Sequence, residues 1–354
     1  MNIIKEESFK GTHNSKPTGL YTLKNNKGMV AQITNFGAKI VSIYVPDRNG
    51  NMNDIMLGYD TIGEYISGDS YFGAICGRCA NRIANGKFVI DGQTYQLPIN
   101  NEPNSLHGGP DGFNNQVFEA GVVEKTANGQ AVVMTYISKD GEMGYPGTLK
   151  VKITYTLNEN NELRLDFEAT TDKVTHVNIC SHGYFNLSGE GTSSMLDHEM
   201  MINADKFTPI TELVIPTGEL KPVAGTPMDF TKPTVIGKRI NEKYDQLDFG
   251  KGYDHNWVIN KKEGELGLAA VYYDPSTGRQ MEVLTTQPGV QFYSGNWLNG
   301  SPKGKGGKAY PQRSALCLET QNFPDSPNHS NFPSTLLKPG EVYKHICIYK
   351  FSTK

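Results

Sequence analysis

Residues 151–169 read VKITYTLNENNELRLDFEA, and this stretch decides the fold. Apolar side chains alternate with polar ones through Val151, Ile153, Tyr155 and Leu157, and again through Leu163, Leu165 and Phe167. A period of two marks a strand with one buried face and does not fit the 3.6-residue repeat of a helix. Short alternating or apolar runs recur at 39–45, 87–90, 94–97, 131–138, 268–273, 280–285, 290–293 and 343–351. Asp91-Gly92 sits between two of them and Asn128-Gly129 precedes another. Both pairs tolerate the positive φ of tight primed turns, so strands adjacent in sequence are expected to pair antiparallel.

Helical periodicity is scarce. Its best candidate, 234–247, is short and carries Gly237. Strands do not alternate with helices, which excludes a doubly wound sheet and predicts an all-β fold: a large antiparallel β-sandwich with few short helices and long loops. No fixed-period repeat supports a propeller or solenoid. The run GSPKGKGGK at 300–308 reads as a solvated, mobile surface insertion, because no strand-to-helix context makes it a phosphate cradle.

The 354 residues suit one large β domain or two smaller ones. A composition of 37% hydrophobic, 20% charged and 10% aromatic residues suits a chain with a sizeable core. With 34 basic and 37 acidic residues there is no excess positive field for phosphate backbones or anionic lipid, so neither nucleic acid nor membrane is an expected partner. The opening MNIIKEESFKGTHNSK places charges where a secretory leader has its apolar run, which predicts a cytoplasmic protein. Five scattered cysteines, Cys76, Cys79, Cys180, Cys317 and Cys347, do not form a disulfide framework. The C-x-x-C of Cys76 and Cys79 has neither a second ligand pair for zinc nor a βαβ context for redox chemistry.

Polar residues cluster in segments rich in Gly, Asn and aromatics, a composition suited to binding loops. Asn81 and Arg82 could donate to hydroxyls, and His107 precedes two glycines that let backbone approach a ligand. His182 interrupts an apolar run beside two aromatics, and histidine exchanges a proton near neutrality. Asp254 lies in a Tyr-Asp-His-Asn-Trp string and Gln287 in a Thr-Thr-Gln-Pro-Gly string. Glu319 follows an apolar strand, where burial would raise its pKa and strengthen it as a base. Taken singly, each could be a structural polar residue.

Together, NRIANGKF, NNEPNSLHGG, SHGYFNLSG, YDHNWV, TTQPGVQFYSGNWL and LETQNFPDSPNH, in this order, resemble the aldose 1-epimerases, or galactose mutarotases, from about Phe36 to Phe351. The resemblance implies one mutarotase-like β-sandwich domain over residues 1–354, and the interconversion of α and β anomers of free hexoses such as galactose and glucose. It implies Glu319 as general base on the anomeric hydroxyl, His182 as general acid on the ring oxygen, and His107 beside it, polarising the sugar. Asn81, Arg82, Asp254 and Gln287 would hold hydroxyls. The chain departs from the family pattern at Ser181, Gly183 and His176, which bears on ring orientation and sugar preference.

Opening a hemiacetal removes a proton from the C1 hydroxyl and delivers one to the ring oxygen, each transfer contributing roughly 10²–10⁴-fold. An ionised carboxylate facing a protonated imidazole is the expected starting state. The scheme calls for no cofactor and no metal, and the sequence shows no dinucleotide fingerprint, P-loop or metal-ligand spacing. Trp257, Phe292 or Tyr293 are candidate apolar platforms for the sugar. A monomer or homodimer acting on a monosaccharide is expected. The alternatives are a hexose-6-phosphate 1-epimerase, which would need an Arg/Lys cluster beyond Arg78 and Arg82, a non-catalytic sugar-binding homologue, and a glycosidase or lyase using Asp254 with Glu319.

Overall fold

The computed structural model describes residues 3–68, 71–192, 194–301 and 303–354. Met1, Asn2 and Pro302, from the leader and loop readings above, lie outside the described residues. Every run read as a strand is one, with ends displaced by a residue or two. The opening stretch becomes the antiparallel strands Leu149–Asn158 and Glu162–Thr171, paired from Leu149↔Thr171 to Leu157↔Leu163. Asp91 (φ 51°) and Gly92 (φ 80°) make the expected tight turn between Lys87–Ile90 and Gln93–Gln96.

A ten-stranded sheet contains, in spatial order, Gly129–Ser138, Leu149–Asn158, Glu162–Thr171, Tyr343–Thr353, Arg279–Thr285, Gly267–Tyr273 and Glu199–Ile202. A six-stranded sheet is ordered Tyr184–Phe185, Leu316–Gln321, Gly289–Tyr293, Asp254–Val258, Lys206–Thr208 and Lys221–Pro222. The two share one apolar cluster, in which Leu165, Phe167, Met281 and Val283 meet Val290, Phe292, Leu316 and Leu318. The ring of Phe185 lies 5.0 Å from that of Tyr349 across the gap. The fold is therefore an antiparallel β-sandwich, with two six-residue α-helices among the described residues, Ile62–Ser67 and Asp245–Gly250. No helix of the described residues is long and apolar enough to cross a membrane.

The central strands of the smaller sheet, Leu316–Gln321, Gly289–Tyr293 and Asp254–Val258, are buried on both faces, and this builds the site. In Leu316–Gln321 all six residues are buried. Leu316 and Leu318 enter the shared core, so the strand's alternation turns Cys317, Glu319 and Gln321 to the opposite face. By the same alternation Phe292 and Trp257 belong to the core, while Gln291, Tyr293, Asp254 and Asn256 share the outer face with Glu319. Loops roof that face, which is why polar groups there lose water.

Three expectations are corrected. Residues 234–247 are not one helix: they begin with the strand Thr234–Val235 and a 3₁₀ turn at Ile236–Lys238, and the α-helix starts only at Asp245. The backbone is committed sideways, Ile236 N–H donating to His198 O at 2.9 Å and Gly237 N–H to Leu196 O at 2.8 Å. Gly129 (φ 143°) is the first residue of its strand rather than a turn position, which falls to Ala127 and Asn128. The described residues 303–308 of this segment are anchored: Lys305 Nζ is buried, 2.6 Å from Asp54 Oδ2 and 2.6 Å from Val41 O. Its partners lie some 250 residues earlier in the chain, beyond the reach of local sequence reading.

Candidate active site

On the outer face of the six-stranded sheet opens a cleft of about 470 Å³, lined by Tyr71, Asn81, Arg82, His107, His182, Asp254, Tyr293, Trp297 and Glu319, with Glu212, Leu213 and Val214 at its rim. A larger groove of 660 Å³, lined by Lys16, Tyr136, Ile137, Lys150 and Val342 among others, has no imidazole. The smaller cleft holds the chemistry.

Glu319 is 2% exposed and sits opposite Gln291 on the neighbouring strand. Gln291 Nε2 donates to Asp254 Oδ1 at 2.8 Å, and Arg82 Nη1 lies 3.7 Å from Asp254 Oδ2. Arg82 is aimed by its own donation from Nε to Asn101 Oδ1 at 2.8 Å. His182 ends the strand Cys180–His182, which pairs with Ala74–Cys76, and its Nε2 is 3.5 Å from Glu319 Oε1. The ring of Tyr71 stacks on His182 at 5.8 Å and tilts against His107 at 4.7 Å.

His107 and Asn81 lock each other: His107 N–H donates to Asn81 O at 3.0 Å, and Asn81 N–H donates to His107 Nδ1 at 3.1 Å. Both carry positive φ, 51° and 60°, strain of a kind that collects at functional sites. Because Nδ1 accepts, the neutral ring carries its hydrogen on Nε2. His107, His182 and Glu319 bring potential ligand atoms within 4.8 Å of one another, but this tautomer presents His107 as a hydrogen-bond donor rather than a lone pair. The donor set suits a sugar oxygen better than a cation.

Burial governs the charges. It raises Glu319 to about 8, helped by the negative Asp254 and opposed by Cys180 and Arg82. It lowers His182 to about 4. It lowers His107 well below its ordinary value, with His182 and Arg82 adding to the effect. Asp254 is also raised by burial, against Arg82 and the hydrogen bond from Gln291. Both shifts run against the expected ionised carboxylate facing a protonated imidazole. A neutral pair costs less in a low-dielectric site than two charges, so burial draws the pair's proton toward Glu319.

Six of the expected site residues, Glu319, His182, His107, Asn81, Arg82 and Asp254, line this cleft. Gln287 does not: its Nε2 donates to Tyr343 Oη at 3.1 Å, in the connection between the two sheets, ahead of the turn at Pro288. Gln291, four residues on, is tied to the cleft through its hydrogen bond to Asp254. Trp257 and Phe292 are fully buried core side chains rather than platforms, while Tyr293 lines the cleft. Sequence reasoning missed Tyr71, the 59% exposed Trp297 and the rim at 212–214. Trp297 stands inside a motif already quoted, so its signal was present. Val214 has φ 57°, a strained conformation for a β-branched residue that no residue pattern announces.

Two of the three departures, Gly183 and His176, sit in close contact with their neighbours. A Cβ at Gly183 would meet the ring of Phe185 at 2.8 Å, so a side chain there needs repacking. His176 packs its ring edge-on against Phe88 at 4.9 Å and meets Thr335 Oγ1 through Nδ1 at 2.8 Å.

Comparison with known proteins agrees with the geometry. The family described as "Aldose 1-epimerase" matches residues 19–350. The chain is 46% identical over 320 residues to a galactose mutarotase of Rattus norvegicus, covering 90% of each. It is 37% identical over 338 residues to an aldose 1-epimerase of Escherichia coli K12, covering 95% of this chain and 96% of the other. Among solved structures, an aldose epimerase homologue from C. elegans superposes with a TM-score of 0.86 at 30% identity, covering 95% and 99% of the two chains. A galactose 1-epimerase from Lactobacillus acidophilus superposes with 0.85 at 27% identity, covering 97% of each. The chain belongs to the aldose 1-epimerase family.

Proposed function

We propose that this protein is an aldose 1-epimerase that interconverts the α and β anomers of free hexoses such as galactose and glucose. The observation that carries the reading is the 3.5 Å approach of His182 Nε2 to Glu319 Oε1 in a cleft lined by hydroxyl-binding groups. Glu319 acts as base on the C1 hydroxyl and His182 as acid on the ring oxygen. The productive state has the pair's single proton on His182, reached from the resting state by transfer within the pair without change of net charge. Ring opening moves the C1 hydroxyl proton to Glu319 and the imidazolium proton to the ring oxygen. Rotation about C1–C2 exposes the other carbonyl face, and the two transfers run backward. His107 Nε2–H donates to a sugar oxygen, while Arg82, Asn81 and Asp254 hold hydroxyls. Tyr293 and Trp297 offer apolar surface.

A single domain over the whole chain is supported by the apolar cluster that runs from Leu23 to Phe351. A phosphorylated substrate is disfavoured, because Arg78 is buried elsewhere, donating to Ser138 Oγ at 2.8 Å and Pro146 O at 2.9 Å. Arg82 is thus the one arginine lining the cleft among the described residues. A cytoplasmic protein, monomeric or homodimeric and working without cofactor, completes the reading.

Polarimetry on freshly dissolved α-D-galactose, α-D-glucose and glucose 6-phosphate, without added cofactor, tests it. Faster mutarotation of the free sugars is the expected result. No acceleration of any of them would overturn the assignment, and preference for the phosphate ester would replace it with the hexose-6-phosphate activity.

A further inference from the structure

Glu319 has two carboxyl oxygens, and only one of them faces His182. The other, Oε2, lies 3.4 Å from Cys180 Sγ, with the thiol as donor. We infer that Cys180 is a positioning residue whose thiol holds the Glu319 carboxyl in the orientation that proton transfer requires, an inference that rests on Glu319 being the base.

The strand geometry supports this. Cys180 and His182 are two residues apart on one strand, so their side chains leave the same face. Both reach Glu319 on the strand Leu316–Gln321, Sγ to Oε2 at 3.4 Å and Nε2 to Oε1 at 3.5 Å. The terminal torsion of a glutamate is broad and roughly two-fold. A contact at each oxygen restricts it, whereas a single contact leaves the carboxyl free to swing. Cys180 is itself held from behind: Cys76 lies directly opposite in the strand pairing, and the two thiols are in hydrogen-bond contact. All three side chains are 2% exposed or less, so water does not compete for the carboxyl.

The choice of sulfur has a chemical consequence. A thiol is a weak donor. It can orient the carboxylate while stabilising the anion less than a hydroxyl or a backbone N–H would, leaving the base strong enough to take a proton from the sugar. Around the carboxyl stand His107, His182, Asp254 and Arg82, the thiols Cys76 and Cys317, and the phenols Tyr184 and Tyr293.

The test compares Cys180→Ala and Cys180→Ser with wild type by polarimetry across pH, with thermal melts to confirm folding. Alanine is expected to lower kcat by about five- to tenfold, the rate equivalent of one weak hydrogen bond, with KM little changed. Turnover needs the pair's single proton, so its alkaline limb follows Glu319. Loss of the donor should move that limb to higher pH, and the stronger hydroxyl donor should move it lower. Opposite displacements support the inference. Limbs unmoved in both variants, or displaced in the same direction, assign Cys180 to packing and overturn it. If the alanine variant does not fold, the serine variant decides alone: a lowered limb supports, an unmoved one overturns. Glu319→Gln in the same assay separates the two claims, since wild-type turnover there defeats the base assignment whatever the cysteine variants do.

Discussion

Nε2 of His182 stands 3.5 Å from Oε1 of Glu319, although 137 positions separate the two residues in sequence. The approach follows from one antiparallel pairing: Tyr184, two residues after the histidine, lies opposite Cys317, two residues before the glutamate. Each strand then needs only its own alternation to turn the two side chains toward one another.

If these groups exchange protons with the sugar, Glu319→Gln and His182→Asn should each lower kcat by roughly 10²–10⁴-fold while leaving the melting temperature near wild type. Polarimetry with a thermal melt checks both. A variant turning over at the wild-type rate removes that residue from the mechanism.

The position of the shared proton sets the pH dependence. With His182 at about 4 and Glu319 at about 8, the pair holds one proton between those values. Activity should be broad across neutral pH and decline above about 8 as that proton is lost. A kcat/KM profile that rises with pH through 8 would mean that the doubly deprotonated pair is the active form.

Gln287 and Gln291 are four residues apart but belong to different environments. Gln287→Ala removes a hydrogen bond to Tyr343 and should leave kcat/KM within about twofold of wild type, a loss below 0.5 kcal/mol of transition-state stabilisation. Gln291→Ala removes the donor to Asp254, so it should raise KM for galactose by about tenfold, the equivalent of a hydrogen bond to a charged group. The reverse order would return Gln287 to the sugar site.

Lys305 tests the anchored segment. Its Nζ also meets Met56 O at 2.9 Å, so Lys305→Met leaves Asp54 with a partly buried charge and no lysine partner. Removing one member of a buried pair costs about 3–5 kcal/mol, which denaturant unfolding would read directly. A change under 1 kcal/mol would mean that the segment behaves as the free surface loop its composition suggests.

Much of this molecule is legible in one dimension. Strand alternation is a local property, so runs such as 151–157 and 163–169 announce their structure without reference to the rest of the chain. The ordered motifs carried Glu319, His182, His107, Asn81, Arg82 and Asp254 into one cleft. Gln287 falls outside the cleft lining because its string spans the connection between the sheets, where the side-chain alternation that places Gln291 no longer applies. Trp257 was misread for a related reason: its motif marks the site, but its parity within the strand sends it into the core.

The sequence by itself determined the all-β architecture and the family, and it named Glu319 and His182 as candidates for the acid–base pair, because these depend on residue type, period and order. Only the tertiary structure decided that burial shifts the carboxyl and the imidazole in opposite directions, that a thiol backs the carboxyl, and that Lys305 is buried. Those facts depend on desolvation and on partners brought from distant parts of the chain, and the dielectric around a side chain is a property of the packed molecule.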